Sequence, residues 1–357
     1  MYLKPVKLIK RQKKSNDTLK NMNTTNLALN LKEIEELYPE NPIEFFRDKK
    51  LCLFKACLEK YFPGVRFGID DFLKDLGLNV MTCVNQSCCS GTFFQRNLIT
   101  RAQFGAINER NLSEINRIAD ILLFSCNGCY NSLIRGREFL NSPDVRRKTQ
   151  DILNQLQNKS SGDNYPGKYK IVDDLKLKLV HDLDFFYLIK NSVFNALKYD
   201  LKNMKVAVHY GCHYLNLSRD KDSVEDYLRP KTKLEELITL FGGNPVDYQE
   251  RESCCGWGAS QVVIHPKEAL KITFNKLKSA ENVGADFMVT PCPTCLYTLS
   301  KPEYREKMRK WYGEKLDIPT IHLNELIAIL RGCEEERCIT LRRKTPRIEE
   351  IFEIITQ

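Results

Sequence analysis

No run of apolar residues in this chain approaches the roughly 18 needed to cross a bilayer. The longest, such as "ADILLFSC" and "ELIAIL", stop far short, so no membrane span is expected. The first residues, "MYLKPVKLIKRQKKSNDTLK", are basic but lack the apolar central region of a secretory signal peptide. The expectation is a cytoplasmic protein, in a compartment where disulfides are rare. There is no zinc-finger spacing with paired histidines, no aromatic RNA-binding signature and no continuous basic stripe. Nucleic acid is therefore not an expected partner. The formal charge of +9 comes largely from that first segment, which reads as a solvated tail. A CxxCxxCxxxCP run, which would carry ordinary cubane clusters, is also missing.

What the chain does have is cysteine, 14 in 357 residues. In a reducing compartment these read as metal ligands or redox groups rather than as a disulfide framework. With 42% hydrophobic and 28% charged residues the rest is that of an ordinary globular protein.

The cysteines repeat. "ADILLFSCNGC" (residues 119–129) aligns without a gap on "ADFMVTPCPTC" (residues 285–295), at an offset of 285 minus 119, or 166. The same offset carries Cys88 and Cys89 onto Cys254 and Cys255. Upstream, Cys57 in "LCLFKAC" and Cys212 in "VAVHYGC" each close a short β-rich run, at an offset of 155. The second copy thus holds eleven extra residues, which the polar stretch "NLSRDKDSVEDYLRP" accommodates as a loop. Each copy reads C, then CC, then CxxC.

Short apolar runs such as "KVAVHYGC", "DFMVTPC" and "DILLFSC" have the character of strands buried on both faces. Helical patterns separate them, as in "PKEALKITFNKLKSAENVGAD", where Leu270, Phe274, Leu277 and Ala280 recur at helical spacing. Strand and helix in alternation predict an α/β fold of two pseudo-symmetric units, each a small parallel, Rossmann-like sheet with flanking helices. The expected divisions are an extension at 1–48, helical near "NLKEIEELYP"; a first repeat at 49–135; a helical linker at 136–204, with the turn-rich "NKSSGDNYPGKY" inside it; a second repeat at 205–330; and a charged, peripheral tail at 331–357. In such units the cysteines fall at the carboxyl ends of the strands, where open α/β sheets place their ligands.

Five converging thiolates suit zinc, copper(I) or iron–sulfur clusters. Structural zinc sites are four-coordinate, so the repeated fifth thiol favours iron–sulfur over zinc. The vicinal pair puts neighbouring sulfurs where they can reach different irons of one asymmetric cluster.

The motifs "VHYGCHYLN", "CCGWG", "PCPTC" and "CNGC" resemble the cysteine-rich CCG domains of the B subunit of CoB-CoM heterodisulfide reductase from methanogenic archaea, over roughly residues 50 to 300. The resemblance implies two noncubane [4Fe-4S] clusters, one held by Cys57, Cys88, Cys89, Cys126 and Cys129, the other by Cys212, Cys254, Cys255, Cys292 and Cys295. It implies a disulfide oxidoreductase of methanogenesis that cleaves the CoM-S-S-CoB heterodisulfide to two thiols, one electron from each of two clusters facing one cavity. It also implies the ferredoxin-like and the flavin-bearing subunits of heterodisulfide reductase as partners in electron transfer. Ser90 departs from the pattern, standing between the first pair and Gly91, and the extension at 1–48 implies a paralogue.

Other residues carry secondary expectations. His213 is placed to give a proton or a hydrogen bond to a bound thiolate. Gly256 and Gly258 allow the backbone to approach a cluster, with N–H groups on its sulfurs, and Trp257 walls it off. Cys52 and Cys83 read as small buried hydrophobes. Cys333 and Cys338, in "CEEERC", share a helical face. Two further readings stand beside the enzyme: an electron-transfer or assembly subunit for a flavoprotein dehydrogenase of the succinate, lactate or glycolate type, and a zinc-stapled interaction protein.

Overall fold

A computed structural model describes residues 27–159, 169–219, 232–258, 261–333 and 347–357. Eight strands are present among them: β1 (Lys50–Leu53), β2 (Asn79–Met81), β3 (Ile121–Phe124), β4 (Lys178–His181), β5 (Lys205–Val208), β6 (Asn244–Val246), β7 (Phe287–Thr290) and β8 (Thr320–His322). They form two four-stranded sheets of the same order, β2-β1-β3-β4 and β6-β5-β7-β8, with every pairing parallel. The α/β reading and the duplication both hold.

The register reproduces the sequence offsets. Leu51 pairs with Ile121 in the first sheet, and Val206 with Phe287 in the second. The central strands β3 and β7 are buried along their whole length, as their unbroken apolar runs require. Side chains alternate along them. Leu51, Leu53, Ile121, Leu123, Val206, Val208, Phe287 and Val289 enter one core; Cys52, Phe54, Leu122, Phe124, Ala207 and Met288 enter a second, shared with the cysteines. One face of each sheet thus holds the fold together and the other backs the thiols.

Helix Pro266–Asn282 forms where the periodicity placed it, with its proline in the first turn and Leu270, Phe274, Leu277 and Ala280 buried. The repeats join along helices Pro63–Asp75 and Leu323–Leu330. Gly68 permits the contact, since a Cβ there would lie 2.3 Å from the Asn324 carbonyl oxygen. Asn324 Nδ2 then bonds the Val65 carbonyl and Ser125 Oγ of the first repeat at 3.1 and 3.0 Å.

Two segments differ from their sequence reading, and the extension keeps its own. The 136–204 segment is more than a helical linker: it supplies β4, which completes the first sheet. The extension is tied in, with Leu29 N–H bonding the Leu179 carbonyl, and helix Leu31–Leu37 lies where a helix was expected. The end of the chain is docked rather than peripheral, because Ile348, Ile351 and Ile355 give helix Ile348–Thr356 an apolar face that enters the core. The basic tail, most of the stretch read as the insertion loop, most of "NKSSGDNYPGKY", and Cys338 lie outside the described residues.

Candidate metal centre

Every cysteine of the two sets follows a strand end, as expected of ligands in an open α/β sheet. Cys57 follows β1, the pair Cys88 and Cys89 follows β2, and Cys126 follows β3; Cys212, Cys254, Cys255 and Cys292 repeat the order after β5, β6 and β7. Cys126 and Cys292 are extended N-cap residues of helices Asn127–Phe139 and Pro293–Ser300, and Cys129 and Cys295 stand one turn into those helices. A helix N-terminus favours the thiolate.

The sulfurs of each set converge. In the first, the free thiol of Cys57 neighbours Cys88, Cys89 neighbours both Cys88 and Cys129, and Cys129 neighbours Cys126. In the second, Cys212 neighbours Cys254, Cys254 neighbours Cys255, Cys255 neighbours Cys295, and Cys295 neighbours Cys292. The two sets also touch, through Cys126 and Cys292. Ten thiols therefore run as one unbroken line, symmetric about that central contact.

Three thiols of the line, Cys88, Cys292 and Cys254, are held low, and the other seven are pushed up. Hydrogen bonds from Cys57 and Cys89 hold Cys88 far below the usual thiol range, and bonds from Cys212 and Cys255 do the same for Cys254. Burial opposes ionisation of Cys292, but bonds from Cys126, Cys295 and the Asn127 backbone prevail and hold it low. The donors Cys57 and Cys212 are pushed up in turn. Thiolate is the ligand form, so metal binding at these sulfurs would release the protons the thiols share. All ten donors are soft sulfur. The first set lies nearer solvent, with Cys57 and Cys88 exposed where Cys212 and Cys254 are half-buried.

Backbone geometry at the vicinal pairs is matched. Ser90 N–H donates to Cys88 Sγ and Gly256 N–H to Cys254 Sγ, both at 3.4 Å. Ser90 and Gly256 both have positive φ, 58° and 96°. Ser90 thus takes the conformation that glycine holds in the second copy. Gly258 N–H also reaches Cys254, and Trp257 N–H reaches Cys255, while the Trp257 ring packs edge-on to Tyr297 at 5.9 Å.

His213 Nε2 lies 2.7 Å from Gln95 Nε2 of the first repeat, in a hydrogen bond. Burial holds its pKa down, against the pull of the Cys292 and Cys254 sulfurs. Asn127 Nδ2 ties the repeats again, donating to the Tyr210 carbonyl at 2.6 Å. Cys52 and Cys83 are buried away from the line, as expected, and burial pushes the Cys52 thiol up to about 11. Cys333 is half-buried.

Two residues near the thiols carried no signal of their own in the sequence. His209, at the end of β5, is 1% exposed, and a ring nitrogen lies within 4.8 Å of the Cys255 and Cys295 sulfurs. Burial, then Lys276, pushes its pKa down to about 3. Lys276 is fully buried, donates to the carbonyls of Glu250 and Arg251, and is lowered to about 8 by burial. Arg110 does the corresponding work in the first copy on the Asn85 carbonyl, at 2.9 Å. Each cation sits 166 residues from the other and holds the loop that leads into a vicinal pair.

No helix among the described residues is long and apolar enough to cross a membrane. The cysteine-rich domain CCG matches the chain twice, at residues 51–134 and 206–300. A protein of Archaeoglobus profundus described as like the B subunit of heterodisulfide reductase is 31% identical over 82% of this chain and 95% of its own length. The B subunit of a ferredoxin/F(420)H(2)-dependent CoB-CoM heterodisulfide reductase of Methanosarcina acetivorans is 26% identical over 79% of this chain and 89% of that protein. An 8-methylmenaquinol:fumarate reductase membrane anchor subunit of Wolinella succinogenes is 27% identical over 80% and 93%. With two such domains and these relatives, the chain belongs to the cysteine-rich CCG-domain family and is distantly related to the B subunit of heterodisulfide reductase.

Proposed function

We propose that the chain is the catalytic iron–sulfur subunit of a heterodisulfide reductase, acting on the CoM-S-S-CoB disulfide or a close analogue. The observation that carries this reading is the contact of Cys126 with Cys292, which brings two matched thiol sets against one another. Cleaving a disulfide takes two electrons and two protons and yields two thiols. Two equal donor sets at one place match that stoichiometry.

The donor chemistry fits the implied group. Cys57, Cys88, Cys89, Cys126 and Cys129 would hold one noncubane [4Fe-4S] cluster, and Cys212, Cys254, Cys255, Cys292 and Cys295 the other. When bound, the clusters supply the two electrons and the iron sites at which the sulfurs part. The chain's own residues do the rest. Ser90, Gly256, Gly258 and Trp257 point backbone N–H groups at the ligand sulfurs and offset their charge. His213, whose Nε2 accepts from Gln95, stands beside Cys212 at the seam of the repeats, where Nδ1 can pass a proton to a departing thiolate. Electrons arrive from partners, for which the ferredoxin-like and flavin-bearing subunits of heterodisulfide reductase are the candidates.

The test is thiol release. Anaerobic protein with its partner subunits, given reduced viologen dye and the heterodisulfide, is expected to liberate two thiols per disulfide. A chain that holds iron, takes up electrons and releases no thiol contradicts the catalytic reading. It favours instead the second one, an electron-transfer subunit for a flavoprotein, which the likeness to the fumarate reductase subunit supports.

A further inference from the structure

His209 and Phe54 hold the same place in the two repeats. His209 N–H bonds the Val289 carbonyl and Phe54 N–H the Leu123 carbonyl, both at 2.9 Å, and Val289 and Leu123 are themselves 166 residues apart. Each is three residues ahead of the first cysteine of its set. Phe54 is an ordinary core residue, stacked on Phe124 at 5.2 Å. His209 is equally buried, yet among the described residues neither ring nitrogen has a partner in hydrogen-bond geometry. The Arg251 backbone draws near the ring without reaching hydrogen-bond geometry, and its carbonyl accepts from Lys276 Nζ at 3.1 Å. An unpaired buried polar group is costly, and native structures rarely carry two on one side chain.

The ring is also well aimed. One nitrogen and the sulfurs of Cys255 and Cys295 all lie within 4.8 Å of one another, the spacing of ligands on a common metal. An imidazole is a ligand with a free nitrogen lone pair, and histidine takes the place of cysteine on iron in some iron–sulfur proteins.

We propose that His209 supplies a nitrogen ligand to the metal centre of the second repeat, and that the centre of the first repeat has no such ligand. The inference rests on the iron–sulfur reading above but not on the substrate. It makes two centres of matched sulfur content chemically unequal. The imidazole would donate to iron in one centre only, and ligand identity is one of the levers that set an iron–sulfur potential. The two centres then take up their electrons at different potentials.

The experiment uses full-length chain labelled with 15N-histidine and purified without oxygen, as wild type, His209→Phe, His209→Gln and His213→Asn. Iron and sulfide are counted, the nitrogen coupling is read by pulsed paramagnetic resonance, and the two reduction steps are titrated. The wild type is expected to show a 15N coupling of bonded strength. It should disappear in both His209 variants and survive in His213→Asn, while one reduction step shifts in potential and the other stays. Should His209→Phe fail to fold, His209→Gln and the wild-type spectrum decide. Iron-loaded wild type without that coupling, or a coupling that outlasts the loss of His209, overturns the proposal and leaves the cluster reading intact. Wild type that takes up no iron removes both.

Discussion

The thiols of Cys126 and Cys292 meet, although 292 minus 126, or 166 residues, separates them in the chain. Each caps the helix that carries its CxxC, so the contact is made by two equivalent helix ends. On the proposed reading, Cys126→Ser removes a ligand from the first set only. Iron is expected to fall from about eight to about four per chain, the content of one four-iron cluster. Thiol release should drop more than about tenfold, since even outer partners of a metal ligand are worth that much. Iron analysis with activity checks it.

Gly256 has little freedom to change. A Cβ there would meet Thr273 Oγ1 at 2.2 Å and the Ala269 carbonyl at 2.6 Å, and φ is 96°. Gly256→Ala should cost about 1–3 kcal/mol for the backbone alone, and more from the clash. Ser90→Gly relieves a left-handed serine, a conformation costing about 1–2 kcal/mol, so that variant should be neutral or slightly more stable. Denaturant unfolding of the metal-free chain compares the two.

Glu325 offers a pH signature. Burial raises its carboxyl to about 8, and among the described residues Oε1 has no hydrogen-bond partner. Between the usual carboxylate range and pH 8 the native group keeps a proton that the unfolded chain has lost. Stability therefore falls as pH rises through that window and is unaffected below it. Glu325→Gln should flatten the slope, matching wild type near pH 4 and exceeding it at pH 8. Melts across the range test this.

Arg137 and Glu109 form a buried pair at 2.9 Å, and Arg137 also bonds the Val172 carbonyl at 2.8 Å. They join helix Arg101–Asn116 to the helix that carries Cys129. Arg137→Met strands a buried carboxylate, at about 3–5 kcal/mol. Adding Glu109→Leu should recover most of the loss, which a double-mutant cycle measures.

The duplication, the strand ends and the ten thiols were legible because cysteine spacing survives folding as a linear pattern. Helix Pro266–Asn282 was legible from its period. β4 was not, because "KLVH" is too short to show alternation and becomes a strand by pairing with β3. The docked end was hidden too, since the partner of Ile348, Ile351 and Ile355 lies on another element. His209 looked like any residue closing a strand. Its interest comes from Cys255 and Cys295, which approach it only in three dimensions.

The central claim is that the line of ten thiols holds two iron–sulfur centres. Iron, acid-labile sulfide and zinc in oxygen-free preparations of the whole chain test it most directly. The account predicts about eight irons with a matching amount of sulfide and no stoichiometric zinc. About two tightly held zincs without sulfide would contradict it.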